Sequence, residues 1–481
     1  MIDIRPVSYV VGLLVAVLGA TMLVPMAFDL SRGDENWLPM LVSAVASMAV
    51  GMFVAMTSAN GAGGRLNLQQ IFLLTTTVWL ILPIFGALPF YLGAPEARYV
   101  DAFFEAMSGL TTTGATVLSG LDTMSQGILL WRGLLQWFGG VGIIVVAMVF
   151  LPALGVGGMQ IFKSEGFETD GKILPRASQI ASQISVIYLV LTVSCALCYA
   201  GFGMSGFDAA VHAMTTVATG GFANYDSSFA AFGPAVQYVA VGFMMLAALP
   251  FVRYVQFVAG APEQLWRDRQ VRGFFMVACV LVVCLSLWQW QRAGVGEAPF
   301  REALFNTVSI LTGTGYASAD YMLWGSFPVV FFFIIGLIGG CAGSTACSIK
   351  IFRFQLLFAS LNSQIRRIHS PNALVIPRYD GKPVSEEVLS SVMVFFAAFI
   401  LSIGFLSVGL GMTGLDLITA VSGAATAVAN IGPGLGHTIG PAGNFASLND
   451  LAKWMLSAGM LLGRLELLAV FALMTPQFWR A

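Results

Sequence analysis

Four short stretches carry the residues whose types and spacing could do chemistry. They read DAFFEAMSGLTTTGA (Asp101–Ala115), DAAVHAMTTVATGGF (Asp208–Phe222), EALFNTVSILTGTGY (Glu302–Tyr316) and DLITAVSGAATAVANIGP (Asp416–Pro433). In the first three an acid precedes a glycine by 13 residues: Asp101 and Gly114, Asp208 and Gly221, Glu302 and Gly315. In the fourth, Asp416 precedes Gly432 by 16. A polar residue (Glu105, His212, Asn306) stands nine before each of the first three glycines. Such loops suit the holding of a dehydrated cation. Glycine frees the backbone to aim successive carbonyls at one axis, and rings of carbonyls can replace an ion's hydration shell. Thr113, Thr219, Thr312 and Thr314 offer hydroxyl oxygens. A short helix ending at the axis turns its negative dipole end toward a cation. The acid near each helix start suits the positive end and reads first as a cap, with concentration of cations at the outer mouth as a second role. Glu105 and His212, inside the short helices, read as hydrogen-bonding pins for the loops.

The elements that position these loops follow from composition. The chain has 481 residues, 57% hydrophobic and 10% charged, with a mean hydropathy of +0.83. Soluble domains carry about 25% charged residues, so a cytosolic enzyme, a disordered chain and a secreted disulfide scaffold are excluded. The net charge of −1 gives no electrostatic argument for nucleic acid. Six cysteines make no disulfide framework, and Cys195-x-x-Cys198, in an apolar run, reads as helix packing. Ten segments are long and apolar enough to cross a bilayer: 7–28, 37–57, 70–92, 126–152, 181–202, 233–258, 272–290, 324–350, 386–411 and 449–475. The first lacks a clear cleavage site and reads as a retained helix. The four short stretches are too short to span and read as re-entrant half-helices with irregular backbone, which is tolerated at membrane depth only inside protein or along a water-filled path. Sixteen of the 23 Lys and Arg fall on one side when both termini are cytoplasmic, and six fall outside. The short stretches then all enter from the outer side.

The expected fold is an all-α polytopic membrane protein. Its unit of helix, pore helix, glycine loop and helix occurs four times after two extra N-terminal spans. The expected divisions are 1–69 for the two N-terminal helices and 70–160, 161–262, 263–370 and 371–481 for the four repeats. The segment 160–180 reads as a cytoplasmic loop or interfacial helix, and 361–385, with Pro371, Pro377 and Pro383, as a linker.

The loops TTTGAT (Thr111–Thr116), ATGGFA (Ala218–Ala223), TGTGYA (Thr312–Ala317) and NIGPG (Asn430–Gly434), together with GRLE (Gly463–Glu466), resemble those of the Trk/Ktr/HKT superfamily of potassium transporters. The two additional N-terminal helices resemble its Trk branch, of the TrkH and TrkG type. The resemblance covers essentially the whole chain. It implies a pseudo-fourfold pore in one subunit, with a filter formed by Thr112, Thr113, Gly114, Gly220, Gly221, Thr314, Gly315, Ile431 and Gly432, and K+ as the transported ion without a bound cofactor. In plant members serine at the first filter glycine accompanies sodium transport, so four glycines favour potassium. The resemblance also implies a homodimer in the inner membrane and a cytosolic nucleotide-binding regulatory ring of the TrkA type. The basic loops 163–176, 253–272 and 350–382 are available to dock such a ring.

Two features lie apart from the loops. Gly336, Gly339, Gly340 and Gly343 fall within eight residues of the eighth span. They form either a close-packing stripe or, since Gly costs about 1 kcal/mol inside a helix, a break. The resemblance implies an intramembrane gating loop there, including Ser344. Lys350 and Arg353 read as snorkelling anchors. Arg464 is the only basic residue deep in a span. It must face the pore or a carboxylate, and Glu466, two positions on, is a poor partner. Facing the pore it is an electrostatic barrier, the role the resemblance assigns to the Arg of GRLE. A secondary transporter for an organic solute predicts inverted repeats instead, and an intramembrane enzyme predicts a nucleophile or metal cluster that His212, His369 and His437 do not form. Potassium uptake is the reading favoured. K+/Na+ or K+/H+ symport and a less selective monovalent cation path are its alternatives.

Overall fold

In a computed structural model, residues 3–61, 66–149, 158–159, 177–370, 372, 375–465 and 467–480 are described. Arg65, Lys163, Lys172, Arg176, Glu466 and most of the segment 160–180 lie outside them. Among the described residues seven helices are long and apolar enough to cross a membrane: Arg5–Arg32, Trp37–Thr57, Leu68–Leu92, Gln126–Val146, Ala181–Gly201, Arg269–Ala293 and Glu386–Met412. Their faces away from the protein stay apolar and exposed, as at Leu197, Ile400 and Phe405, because the surrounding solvent is lipid. Gln126–Val146 differs: 61% of its apolar window is buried, against 28–39% in the other six. It is the pillar against which the first two short helices pack.

Three of the ten expected spans are interrupted. The sixth is Pro234–Ala247 followed by Phe251–Val258, bent by 89°. Pro250 lacks an N–H and pushes its predecessor out of the helical region. The freed carbonyls are used, since Ala247 accepts from Thr345 Oγ1 at 3.0 Å and Ala248 from the Cys341 amide at 3.0 Å. The eighth span ends at Gly336, leaves helix through residue 350, and resumes as Ile351–His369. The expected linker at 361 therefore starts eight residues inside a helix. Beyond it lies a two-residue antiparallel pair, Arg378–Tyr379 with Lys382–Pro383, turned by Asp380 and Gly381 at positive φ. The tenth span stops at Arg464 and restarts at Leu468 after Leu467 takes φ +40°. Arg464 thus ends a half-helix instead of sitting mid-helix.

The four expected half-helices are Tyr99–Leu110, Gly206–Val217, Glu297–Leu311 and Leu417–Ala429. They form the core: every residue from Ala102 to Leu110 and from Ser422 to Ala429 is buried. The N-terminal pair Arg5–Arg32 and Trp37–Thr57 packs backbone on backbone, so that a Cβ on Gly51 would lie 2.4 Å from the Ala16 nitrogen. The hairpin is fastened through buried Asp29, whose carboxylate accepts from Ser125 Oγ at 2.9 Å and the Gly127 amide at 2.7 Å at the start of the pillar.

Candidate ion pathway

Each short helix ends in the same way. After Leu110 the chain passes through Thr112 at φ +52°; the Thr112 amide donates to the Gly109 carbonyl at 3.0 Å and the Thr113 amide to the Ser108 carbonyl at 2.9 Å. This is the paired bonding of a left-handed helix stop. Thr219 at φ +49°, Gly313 at +73° and Asn430 at +51° repeat it, with Gly220, Thr314 and Ile431 closing onto Thr215, Ser309 and Thr426. A β-branched residue at positive φ is a true outlier, and two of the four stops are threonine. Such strain is characteristic of functional loops.

Two residues on, the chain turns left-handed again, at Gly114 (φ +82°), Gly221 (+82°), Gly315 (+83°) and Gly432 (+107°). A side chain is excluded at each. A Cβ on Gly114 would stand 2.1 Å from the Gly220 carbonyl oxygen, one on Gly221 1.9 Å from that of Thr314, one on Gly315 1.9 Å from that of Ile431, and one on Gly432 2.8 Å from that of Thr113. Each glycine lies against the carbonyl just before the next repeat's glycine, and the fourth returns to the first. The loops therefore close a ring in chain order, with pseudo-fourfold symmetry. All four glycines line one cavity of about 530 Å³, together with Phe222, Asp226 and His437.

The polar residues inside the short helices pin the loops. Glu105 accepts from Thr116 Oγ1 at 2.9 Å and the Val117 amide at 3.0 Å. His212 Nε2 takes the Asn224 amide at 3.3 Å, and Asn306 Oδ1 the Ser318 amide at 3.1 Å. In the fourth repeat Ser422 does the same for Leu435, at 2.9 Å. Ser422 lies ten before Gly432, one off the spacing of the others, and the sequence reading missed it.

The capping role holds for one acid in four. Asp416 is an N-cap, accepting from the Thr419 amide at 3.1 Å, and the Thr419 hydroxyl and amide hold its carboxyl below the usual range. Asp101 and Asp208 instead sit in the first turn, three residues inside, and Glu302 lies deeper because its helix begins at Glu297. The spacing of 16 marks a cap position, and the spacing of 13 a position inside the helix, in the first turn for Asp101 and Asp208 and beyond it for Glu302. Asp101 pairs with Arg98 at 2.9 Å and with buried Lys453 at 2.5 Å. Asp208 accepts from Asn224 Nδ2 at 2.8 Å and Tyr225 Oη at 3.0 Å. The threonine hydroxyls are also committed elsewhere. Thr113 and Thr111 bond each other, as do Thr314 and Thr312, and Thr219 Oγ1 donates to the Ala218 carbonyl. These bonds take up the hydroxyl protons, and the ring itself is closed by carbonyls.

The helix-stop layer of the ring faces the segment 337–350. Cys347 lies there, its sulfur 3.8 Å from Thr112 Oγ1, and its amide nitrogen 3.5 Å from where a Cβ on Gly313 would stand. The Ser348 amide donates to the Ala429 carbonyl at 3.0 Å. The segment folds on itself through Gly339 N to the Ile349 carbonyl at 2.8 Å and is fastened by Ala342 N to Gln270 Oε1 at 2.9 Å. A Cβ on Gly339 would strike the Cys347 carbonyl at 1.9 Å, one on Gly340 the Ala346 Cβ at 2.6 Å, and one on Gly336 the Ile431 Cδ1 at 2.8 Å. Gly343 takes φ +74° and its carbonyl accepts from the Phe251 amide at 2.9 Å. Ser344 Oγ turns inward to the Cys341 carbonyl at 2.7 Å. These glycines serve a folded loop, not a helix stripe. Arg464 is buried against the loop: its guanidinium bonds Cys347 Sγ, reaches the Gly139 carbonyl at 3.2 Å and lies 5.6 Å from the Trp79 ring centre. Among the described residues its Nε has no partner. Between Arg464, Cys347, Ser344 and Lys350 there remains a void of about 30 Å³, the space of one water. Arg353, expected to snorkel, is fully buried with its guanidinium 3.6 Å from the Phe395 ring centre.

Fold and ring together define a membrane transport protein of four unlike pore repeats in one chain. A family model described as "TrkH: Cation transport protein" matches residues 42–480, and the chain belongs to that family. It is 46% identical over 413 residues to the Trk system potassium uptake protein TrkI of Halomonas elongata, covering 85% of this chain and 84% of that one. It is 36% identical over 483 residues to TrkH of Escherichia coli, covering 99% of each. The crystal structure of the potassium transporter TrkH from Vibrio parahaemolyticus superposes with a TM-score of 0.91 at 34% identity over the full length of both chains. The ring residues were legible from spacing. Cys347, Arg132 and Gln136 were not singled out, since their partners lie far away in sequence.

Proposed function

We propose that this chain takes up potassium through the ring of Gly114, Gly221, Gly315 and Gly432. The ring's head-to-tail closure carries the reading: four carbonyl-bearing loops surround one axis inside a single chain, a geometry suited to replacing the water of a monovalent cation. Thr112, Thr113, Gly220, Thr314 and Ile431 complete the filter backbone. The 530 Å³ cavity is then the outer vestibule, both termini are cytoplasmic, and the chain resides in the inner membrane. The segment 337–350 and Arg464 form the gate. In support, the loop packs against the helix-stop layer, where Cys347 lies beside Thr112 and is bonded by the Arg464 guanidinium. Because the ring closes within one chain, each protomer of a homodimer has its own pore. The relatives are named as members of Trk systems, which supports a regulatory ring of the TrkA type docking on the basic segments 253–272 and 350–382. The loop 163–176 lies outside the described residues. Purified protein in liposomes tests the proposal: uptake of radioactive Rb+ and of K+ above Na+ and choline is expected, and absence of Rb+ uptake overturns it.

A further inference from the structure

The pillar Gln126–Val149 runs behind the first two loops and presents two polar side chains one turn apart, Arg132 and Gln136. Both are buried, Arg132 1% exposed and Gln136 not at all. Arg132 Nε donates to Glu105 Oε1 at 2.8 Å, Nη1 to the Ala223 carbonyl at 2.7 Å and Nη2 to Thr116 Oγ1 at 3.3 Å. One guanidinium therefore grips the first loop, through Glu105 and Thr116, and the second, through Ala223, while lying 4.1 Å from the Phe222 ring centre. Gln136 brackets Gly221. Its Nε2 donates to the Gly220 carbonyl at 2.6 Å and its Oε1 accepts the Phe222 amide at 3.1 Å. The Gly220 carbonyl is also the one against which Gly114 packs. Near the ring these contacts between loops 1 and 2 converge on the pillar, while farther out Asp226 accepts from the Gly120 amide at 2.8 Å and the Leu121 amide at 3.2 Å. Behind loops 3 and 4 the pins are the neutral Asn306 and Ser422.

A buried ion pair is poor evidence for stability, because desolvation offsets its attraction; specificity is the better attested reason for keeping one. Here the pair carries no net charge toward the path, so it neither draws nor repels a cation. What it fixes is distance. A ring that discriminates between two alkali ions must hold its carbonyls apart against the smaller ion, and a loop tied by charge-assisted bonds moves less than one tied by neutral bonds.

We propose that Arg132 and Gln136 are positioning residues for ion selectivity, stiffening the seam between loops 1 and 2 so that the ring does not contract onto Na+. The proposal rests on the potassium-uptake reading. Hydrogen bonds to charged groups are strong enough that losing one shifts an equilibrium by roughly tenfold or more. The test uses the full chain in liposomes, with K+ and Na+ permeability measured from reversal potentials. Arg132→Lys is expected to lower the K+/Na+ ratio by about tenfold, and Gln136→Met, which loses only neutral bonds, by roughly threefold, with K+ flux still measurable. Asp268→Asn breaks another largely buried pair, Arg253–Asp268 at 2.6 Å, away from the ring; it is expected to lower thermal stability and leave the ratio unchanged. A merely structural role would give all these variants a lower melting temperature and the wild-type ratio, and that result overturns the proposal. A wild-type protein without K+ or Rb+ flux overturns the uptake reading itself, before any variant is compared.

Discussion

Alanine at each ring glycine separates backbone strain from ring geometry. All four glycines have positive φ, and Gly432, at +107°, is the farthest from the left-handed region open to alanine, so alanine costs at least about 1–2 kcal/mol in conformation at each and most at Gly432. The steric cost differs. At Gly221 the new Cβ stands 1.9 Å from the Thr314 oxygen and at Gly114 2.1 Å from the Gly220 oxygen, whereas at Gly432 it stands 2.8 Å from the Thr113 oxygen. Real Cβ atoms essentially never come closer than 3.0 Å. A carbonyl must therefore retreat by about 1 Å in the first two cases and by only about 0.2 Å in the third. Preorganised sites tolerate displacements of about 0.5 Å. Gly114→Ala, Gly221→Ala and Gly315→Ala are thus expected to lose at least roughly tenfold in K+ uptake or in K+/Na+ ratio, a shift of about 1.4 kcal/mol in site free energy. Gly432→Ala is expected to stay within about threefold, below half that energy. Rb+ and Na+ uptake into liposomes, at matched protein incorporation, reads the series. If Gly432→Ala is impaired as much as Gly221→Ala, strain and not ring geometry governs, and the reasoning is refuted.

Arg464→Ala is expected to raise cation flux in the absence of any regulatory partner; an unchanged flux at equal membrane abundance removes it from the gate. Gly339→Ala drives a Cβ into the Cys347 carbonyl, so the loop is expected to close badly and K+ leak to rise, and a wild-type leak would show that the loop does not block the path. Lys453→Met removes a cation buried against Asp101; because Asp101 keeps Arg98, the expected loss is about 1–3 kcal/mol, read by thermal melting, and no loss would mean that the pair is dispensable. Reversal potentials under imposed Na+ and H+ gradients are expected to follow the K+ Nernst potential, and a shift from it would establish symport.

The repeat was legible because its landmarks are local. A short helix, a left-handed stop and a glycine must sit at fixed offsets, and Gly114, Gly221, Gly315 and Gly432 announce them. Local logic also placed Glu105 and His212 as pins, and the shared spacing marked Asn306 as their counterpart. It failed where a partner is distant. Asp101 looked like a cap, yet it is held by Lys453, 352 residues on. Arg132, one of the six basic residues that the charge count leaves on the outer side, is buried behind the ring. The break after Arg464 carries no proline or glycine, only Leu467 at positive φ, so nothing in the residue types announces it. The bend at Pro250 did have a signal, hidden by the unbroken hydrophobicity around it.

Closure of the ring within one chain has a consequence for spectroscopy. In a channel of identical subunits, a probe placed at the filter appears four times and its signals average. Here a single label on loop 3 reports one quadrant while the other three stay native, so each wall of the ring is addressable. Within one protomer the spin-label distance between loop 3 and a site on another loop has one value, and an ion's preference for one side of the axis would become a measurable asymmetry.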